Sequence, residues 1–186
     1  MKKLYYVLGG LALVILIILF TFIGTYNSFV TLSETVDESW AQVENQYQRR
    51  YDLIPSLVNT VKGSAAFQKE TQLEITQARS SWTGAQTRNE QIAAAGQLDS
   101  AISRLLVVAE NYPQLDSSAF NDLQVQLEGT ENRIAVERMR YNEAVKTMNV
   151  KVKRFPSNII ASMFGFEEAT YFEIEEGVEQ VPQVIF

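Results

Sequence analysis

The sequence predicts an all-α protein: an N-terminal transmembrane helix, then an antiparallel up-down four-helix bundle, a short extra helix and an irregular C-terminal tail. Three observations carry this. Leu4 to Tyr26 is apolar throughout except for Thr21 and Thr25. Beyond it, apolar residues return in steps of three and four, with no sustained strand alternation. Pro55, Thr83-Gly84 and Tyr112-Pro113 then divide the rest into four stretches of helical length joined by few-residue connections, the pattern of antiparallel neighbours.

The apolar run comes first. About twenty apolar residues suffice to cross a bilayer's hydrocarbon core, and LYYVLGGLALVILIILFTFIGTY meets that length. A cleaved signal peptide would have a shorter apolar region ending in small residues, whereas this run exits through the bulky Phe20-Thr21-Phe22-Ile23. An uncleaved signal-anchor is therefore expected. Lys2 and Lys3 precede the span, Glu34, Asp37 and Glu38 follow it, and no cation returns until Arg49. The positive-inside rule then places residues 1–3 in the cytoplasm and the domain outside. Three residues cannot form an output domain, so any signal is expected to pass laterally. The expected division is 1–3, a short cytoplasmic N-terminus; 4–26, the span; 27–155, the bundle; and 156–186, a short apolar helix and tail.

Within the bundle, Phe29, Leu32, Val36, Trp40, Val43 and Tyr47 step along one seam, with Ile54 one turn on. No proline separates this stretch from the span, so the anchor is expected to run directly into the first domain helix. Pro55 should break that helix and open the next, since proline disfavours helix at the residue before it and suits a first turn. The second helix carries Leu57, Val58, Val61, Ala65, Ile75, Ala78 and Trp82, with a weakly apolar middle at 62–66, and closes at Thr83-Gly84. The third shows Ile92, Ala95, Ile102, Leu105, Leu106 and Ala109. The fourth shows Phe120, Leu123, Leu127, Ile134, Tyr141, Val145, Met148, Val152 and Phe155, with polar substitutions near Thr130 and Glu137 and a cap at Asp116-Ser117-Ser118. The plain reading of every such stripe is core packing.

Composition removes several function classes. The 186 residues hold 16 basic and 22 acidic side chains, and setting aside the two lysines before the span leaves 14 against 22. A domain that acidic repels a phosphate backbone, so no nucleic-acid partner is expected. There is no Cys, hence no disulfide, zinc-thiolate site, thiol nucleophile or lipidated cysteine anchor. There is no His either, which removes the usual general base and the commonest metal ligand. No catalytic residue, cofactor or metal is expected, although an enzyme built from Asp, Glu, Lys and Tyr is chemically conceivable.

Several strings, taken together and in order, resemble the LemA family over nearly the whole chain. They are Tyr26-Asn27-Ser28-Phe29-Val30, Trp40-Ala41-Gln42-Val43-Glu44, Gln48 to Val58 with its RR-x-x-LIP core, and Ala109-Glu110-Asn111-Tyr112-Pro113. Next come Leu127 to Ala135 (EGTENRIA within it), Arg140 to Val145, Arg154 to Asn158 (RFPSN), and Pro182 to Phe186. Where the family commonly has a small residue this chain has Tyr51, and a second tyrosine-asparagine pair in the last helix reads Met148-Asn149. The resemblance implies a single-pass envelope protein with a bromodomain-like four-helix bundle and no established catalytic activity. It also implies relatives in magnetosome membranes and an association with membrane metalloprotease systems. These associations point to a partner-binding or accessory role.

Three groups of residues are the candidate sites. If the helices alternate up and down, Arg49, Arg50, Asp52 and Pro55 meet Tyr112, Pro113 and Asp116 at a membrane-distal tip, where they could recognise a partner. The alternative is that the arginines complement a helix C-terminus while the prolines set turns. Glu128, Glu131, Asn132 and Arg133 place polar groups in the best apolar seam, either to fix register or to hold a small ligand. Glu131 and Arg133 are two apart and cannot pair within the helix. Arg79 or Arg104 would then be the partners. Lys151, Lys153 and Arg154 with Ile159, Ile160, Met163 and Phe164 would arrive beside the bilayer, cations and an apolar helix suiting a lipid surface. Alternatively the cations serve the helix end and the apolar residues plug the core. The tail from Glu167 is acidic and then apolar, and is expected either as an irregular strap or as a flexible end.

The function expected is an envelope interaction protein binding another membrane or envelope protein, a further copy of the chain being one admissible partner. A ligand-sensing module signalling through the membrane and a lipid-surface organiser are the alternatives.

Overall fold

The computed structural model describes residues 2–61, 69–110 and 118–173. Among the described residues every regular element is an α-helix: α1 (Lys2–Val61), α2 (Lys69–Gly84), α3 (Arg88–Glu110), α4 (Ser118–Lys153) and α5 (Ser157–Phe164). One of them, α1, is long and apolar enough to cross a membrane by length and composition.

The 60 residues of α1 span roughly 90 Å at 1.5 Å per residue. As expected, the apolar run and the first domain seam form one helix. Thr21 and Thr25, the polar residues of the run, donate their hydroxyls to the carbonyls of Ile17 and Thr21, both at 2.8 Å, so neither needs a partner from outside the helix.

Pro55 does not break α1, contrary to the expectation from its type; the helix continues through it to Val61. A mid-helix proline loses one backbone hydrogen bond and crowds the preceding turn, about 3 kcal/mol against alanine. Ile54 and Leu57 flank it, fully buried, and each is worth roughly 1.5–3 kcal/mol by leaving water. The seam outweighs the proline, which itself sits exposed.

The chain divides into two compact units, one of Met1–Gln42 with Met139–Tyr171 and one of Val43–Arg138 with Phe172–Phe186. In the first, Phe29, Val36 and Trp40 of α1 are buried along with Tyr141, Val145 and Met148 of α4. Trp40 meets Tyr141 edge-on with ring centroids 5.1 Å apart. In the second, α2 packs on α3, and Tyr47, Leu57, Leu98, Ile102, Leu127 and Ile134 are fully buried.

The start of α3 is built by a capping box that the sequence reading passed over. Thr87 Oγ1 accepts the Glu90 N–H at 3.2 Å, while Glu90 Oε2 accepts the N–H groups of Thr87 at 3.1 Å and Gln86 at 2.8 Å. Those two backbone bonds, Gln86 first, hold the Glu90 carboxyl below its ordinary pKa.

The end of α4 explains why Phe155 leaves the seam. Ser157 Oγ donates to the carbonyls of Lys151 at 2.7 Å and Arg154 at 2.8 Å. This engages carbonyls the ending helix leaves open and turns the chain into α5. Phe155 is thereby exposed rather than buried with Val145 and Met148.

Beyond Gly165, whose left-handed φ of 74° closes α5, residues 166–173 are irregular. Asn149, buried, donates from Nδ2 to the Ala169 carbonyl at 2.9 Å and accepts the Ala169 N–H at Oδ1 at 2.8 Å. Tyr141 Oη donates to the Thr170 carbonyl at 2.7 Å. The strap form of the tail is thus realised as far as these residues, and the positions from 174 lie outside the described residues.

Candidate functional site

The densest polar constellation lies in the second unit, where α1, α3 and α4 each turn a charged side chain inward. Arg50 lies on the α1 seam, three residues after Tyr47 and four before Ile54, the spacing that the seam follows. Its Nη1 donates to Asp99 Oδ1 of α3 at 2.7 Å and also to Glu131 Oε2 of α4. Arg138 of α4 donates through Nη2 to Asp99 Oδ2, which also accepts the Tyr47 hydroxyl at 3.1 Å.

Side-chain exposure grades this layer. Arg50 is 6% exposed, Arg138 14% and Asp99 19%, whereas Glu131 is 47% exposed and forms the rim.

Aromatic rings complete its walls. The Arg138 guanidinium lies 4.6 Å from the Phe172 ring centroid and 5.2 Å from that of Tyr47. Tyr47 also packs on Trp82 with centroids 5.0 Å apart. Flat guanidinium against ring face is a favourable cation–π geometry.

Burial pushes the Asp99 carboxyl up to about 7, against the pull of the Arg50 charge and with the Glu131 charge adding to the rise. Burial likewise lowers Arg138 to about 10. Charges removed from water this far are stable only when hydrogen-bonded to one another. The layer therefore locks α1, α3 and α4 in one register. Its carboxylates are occupied by guanidinium donors, a poor arrangement for a base that must accept a substrate proton.

The LemA family model matches residues 39–186. The chain belongs to the LemA family. It is 28% identical over 180 residues to the magnetosome protein MamQ 2 of Paramagnetospirillum magneticum, covering 82% of this chain and 66% of that protein. It is 24% identical over 179 residues to the magnetosome protein MamQ of Magnetospirillum gryphiswaldense, with the same coverage. The protein LemA of Metamycoplasma hominis is 22% identical over 182 residues, covering 97% of this chain and 82% of its own length. The chain thus spans just under two thirds of the magnetosome relatives' length.

The LemA motifs fall into place differently from the sequence reading. In RR-x-x-LIP, Arg50 is an internal residue of the charged layer and is withdrawn from any partner surface, while Arg49, Asp52 and Pro55 stand exposed. Tyr112, Pro113 and Asp116 lie outside the described residues. In EGTENRIA, Glu131 alone of the four expected core-layer residues turns toward the layer; Glu128, Asn132 and Arg133 are exposed. A helical step of 100° explains this, since Leu127, Glu131 and Ile134 share a face that 128, 132 and 133 cannot. Thr130 is buried, its hydroxyl satisfied by the Leu127 carbonyl at 2.8 Å. Glu131 pairs with Arg50 instead of Arg79 or Arg104: Arg79 lies 4.8 Å over the Tyr51 ring, and Arg104 pairs with Glu74.

The expected lipid-surface group also separates. Ile160 is buried with Ala161, while Ile159, Met163 and Phe164 are exposed. Lys151 donates to Ser28 Oγ and lies 5.4 Å from the Phe29 ring centroid. Lys153 pairs with Glu168 at 2.6 Å, a bond that raises its pKa above the ordinary value. Arg154 remains exposed.

Asp99 and Arg138 were missed by the sequence reading. The signal was present: Arg138 stands four residues after Ile134 and three before Tyr141, a seam position, and Asp99 stands four after Ala95 and three before Ile102.

Proposed function

We propose that this LemA-family chain is a single-pass protein of the cell membrane, N-terminus cytoplasmic and domain extracytoplasmic. In this reading the domain is an antiparallel four-helix bundle that binds another membrane or envelope protein without catalysing a reaction. An exposed line of side chains on α4 carries the partner-binding reading. Val125 and Val136, both in the second unit, are exposed, and a step of 11 residues brings them within about 20° around the helix at 100° per residue. Glu128 and Asn132, two of the three motif residues that turned out not to be internal, fall near the same line. Apolar side chains rimmed by polar ones are the usual make-up of a protein-binding surface.

Support for the anchor comes from α1, whose residues from Leu4 to Ile23 are nearly all exposed and apolar, a surface that water does not tolerate at that size. Similarity to magnetosome proteins agrees with a membrane setting. The missing His and Cys, with Asp99 and Glu131 tied to arginines, support an accessory role over an enzymatic one. Metalloprotease systems of the membrane, or a second copy of the chain, are the first partners to test.

The test is photo-crosslinking in intact membranes from Val125, Val136, Arg49 and Asp52. One discrete membrane or envelope protein captured from the α4 positions, and lost in the Val136→Glu variant that still inserts, is the expected result. Labelling of an Asp52→Cys variant by an impermeant maleimide from the outer side checks the topology. Equal background capture from every position would sink the partner-binding reading.

A ligand-sensing reading rests on a groove of about 1100 Å³ along α2 and α3, lined by polar side chains including Gln77, Ser81, Gln97 and Ser100. Saturable thermal stabilisation by a small molecule, abolished by Ser100→Leu, would move the assignment there.

A further inference from the structure

The first unit holds an aromatic cluster at the point where the apolar run of α1 ends. The Phe164 ring of α5 lies 5.7 Å from Phe22 and 4.8 Å from Tyr26, both on α1 and both edge-on. Just past α5, Phe166 stacks on Phe29 at 4.9 Å and meets Tyr26 at 5.9 Å. These contacts fix the height of α5 along α1. Leu4 to Ile23 at 1.5 Å per residue is about 30 Å, the thickness of a hydrocarbon core. Phe22 then stands at the boundary of that core, and Tyr26, about 6 Å further along, at headgroup level where aromatic belts form.

At this height α5 shows two faces. Ser157, Ile160 and Ala161 are buried. Ile159 and Met163, four apart and so on one side, are 51% and 65% exposed, and Phe155 just ahead of the helix is 78% exposed. Their surface adjoins the exposed apolar surface of α1 itself, through Phe164. Cations contribute less: Lys151 is turned to Ser28 and Lys153, although exposed, is paired with Glu168, while Arg154 is exposed. The attraction is therefore chiefly apolar.

We infer that α5, with Phe155, lies in the headgroup region of the bilayer that α1 crosses and inserts Ile159, Met163 and Phe155 toward the lipid chains, a second membrane contact beside the span. This rests on the reading of α1 as a membrane span. What covers the exposed face is lipid because the residues that position α5 belong to the span exit, and an element held there by Phe22 has acyl chains and headgroups as its surroundings.

A chain without cysteine lets single cysteines be labelled unambiguously. Full-length variants Ile159→Cys, Met163→Cys, Ile23→Cys, Leu13→Cys and Glu143→Cys, each carrying nitrobenzoxadiazole, would be placed in nanodiscs of phosphatidylcholine and phosphatidylglycerol. A nitroxide near the carbonyl end of the acyl chain serves as quencher. The expected result is blue-shifted emission at 159 and 163, quenched as strongly as at 23 and little changed by high salt, with 143 unquenched. Emission at 159 and 163 matching 143 while 13 and 23 are quenched overturns the contact and leaves the anchor standing. Blue-shifted emission indifferent to the nitroxide assigns the face to protein and also overturns it. No quenching at 13 overturns the anchor and this inference with it.

Discussion

Asp99 receives hydrogen bonds from Arg50, Arg138 and Tyr47, and its removal takes that acceptor from all three, leaving Arg50 with Glu131. Asp99→Ala is expected to cost about 3–5 kcal/mol, the usual result of taking one partner from a buried charge pair. Glu131→Gln, at the half-exposed rim, should cost under about 1 kcal/mol. Urea denaturation of both variants checks the contrast. A pH dependence follows as well. Folding raises the Asp99 pKa from 3.8 to about 7, so between those values the folded state binds a proton that the unfolded chain releases. This contribution to stability is complete below about 4 and lost as pH rises through about 7, with a slope of at most about 1.4 kcal/mol per pH unit. Asp99→Asn retains an acceptor and should flatten that part of the curve; unchanged curvature would contradict it. Arg50 was legible as a seam position from the spacing of Val43, Tyr47, Ile54 and Leu57. It was misread because an arginine beside another arginine suggests a solvated helix end. Asp99 was harder, since its arginine partners lie 49 and 39 residues away and no local pattern connects them.

At the scale of elements, the sequence showed helices and their seams well and their ends less well. The apolar run joining the first seam, the close of α2 at Gly84 and the short helix after RFPSN were all readable from residue type. Pro55 was not, because local propensity and tertiary burial oppose each other there and only the packed structure shows that Ile54 and Leu57 prevail. Pro55→Ala is accordingly expected to raise stability, by up to about 3 kcal/mol as the missing hydrogen bond returns. A loss in thermal unfolding temperature would instead mean that the proline starts a new helix. Ser157 teaches the converse lesson. A serine after a proline reads as a turn, but the two carbonyls its hydroxyl serves could be identified only once the chain path was known. For the same reason Phe155 seemed to continue the seam of α4.

Across the molecule, family membership and the helical nature of every regular element among the described residues were both legible, since each rests on pattern repeated over many residues. The candidate surfaces were legible only in part. Motif residues expected inside EGTENRIA are divided between the charged layer and the exposed surface of α4, and a helical step of about 100° from Glu131 to Asn132 separates those roles. The continuity of α1 carries that idea further. A helix with no interruption from Lys2 to Val61 is a torsional shaft: the azimuth of the exposed apolar residues from Leu4 to Ile23 is set by that of Phe29, Val36 and Trp40. One residue inserted between Gly24 and Ser28 would turn the span by about 100° and lift it by 1.5 Å, whereas seven would return it nearly to phase. Any neighbour gripping one side of that apolar run would thereby be told which way Phe29, Val36 and Trp40 face.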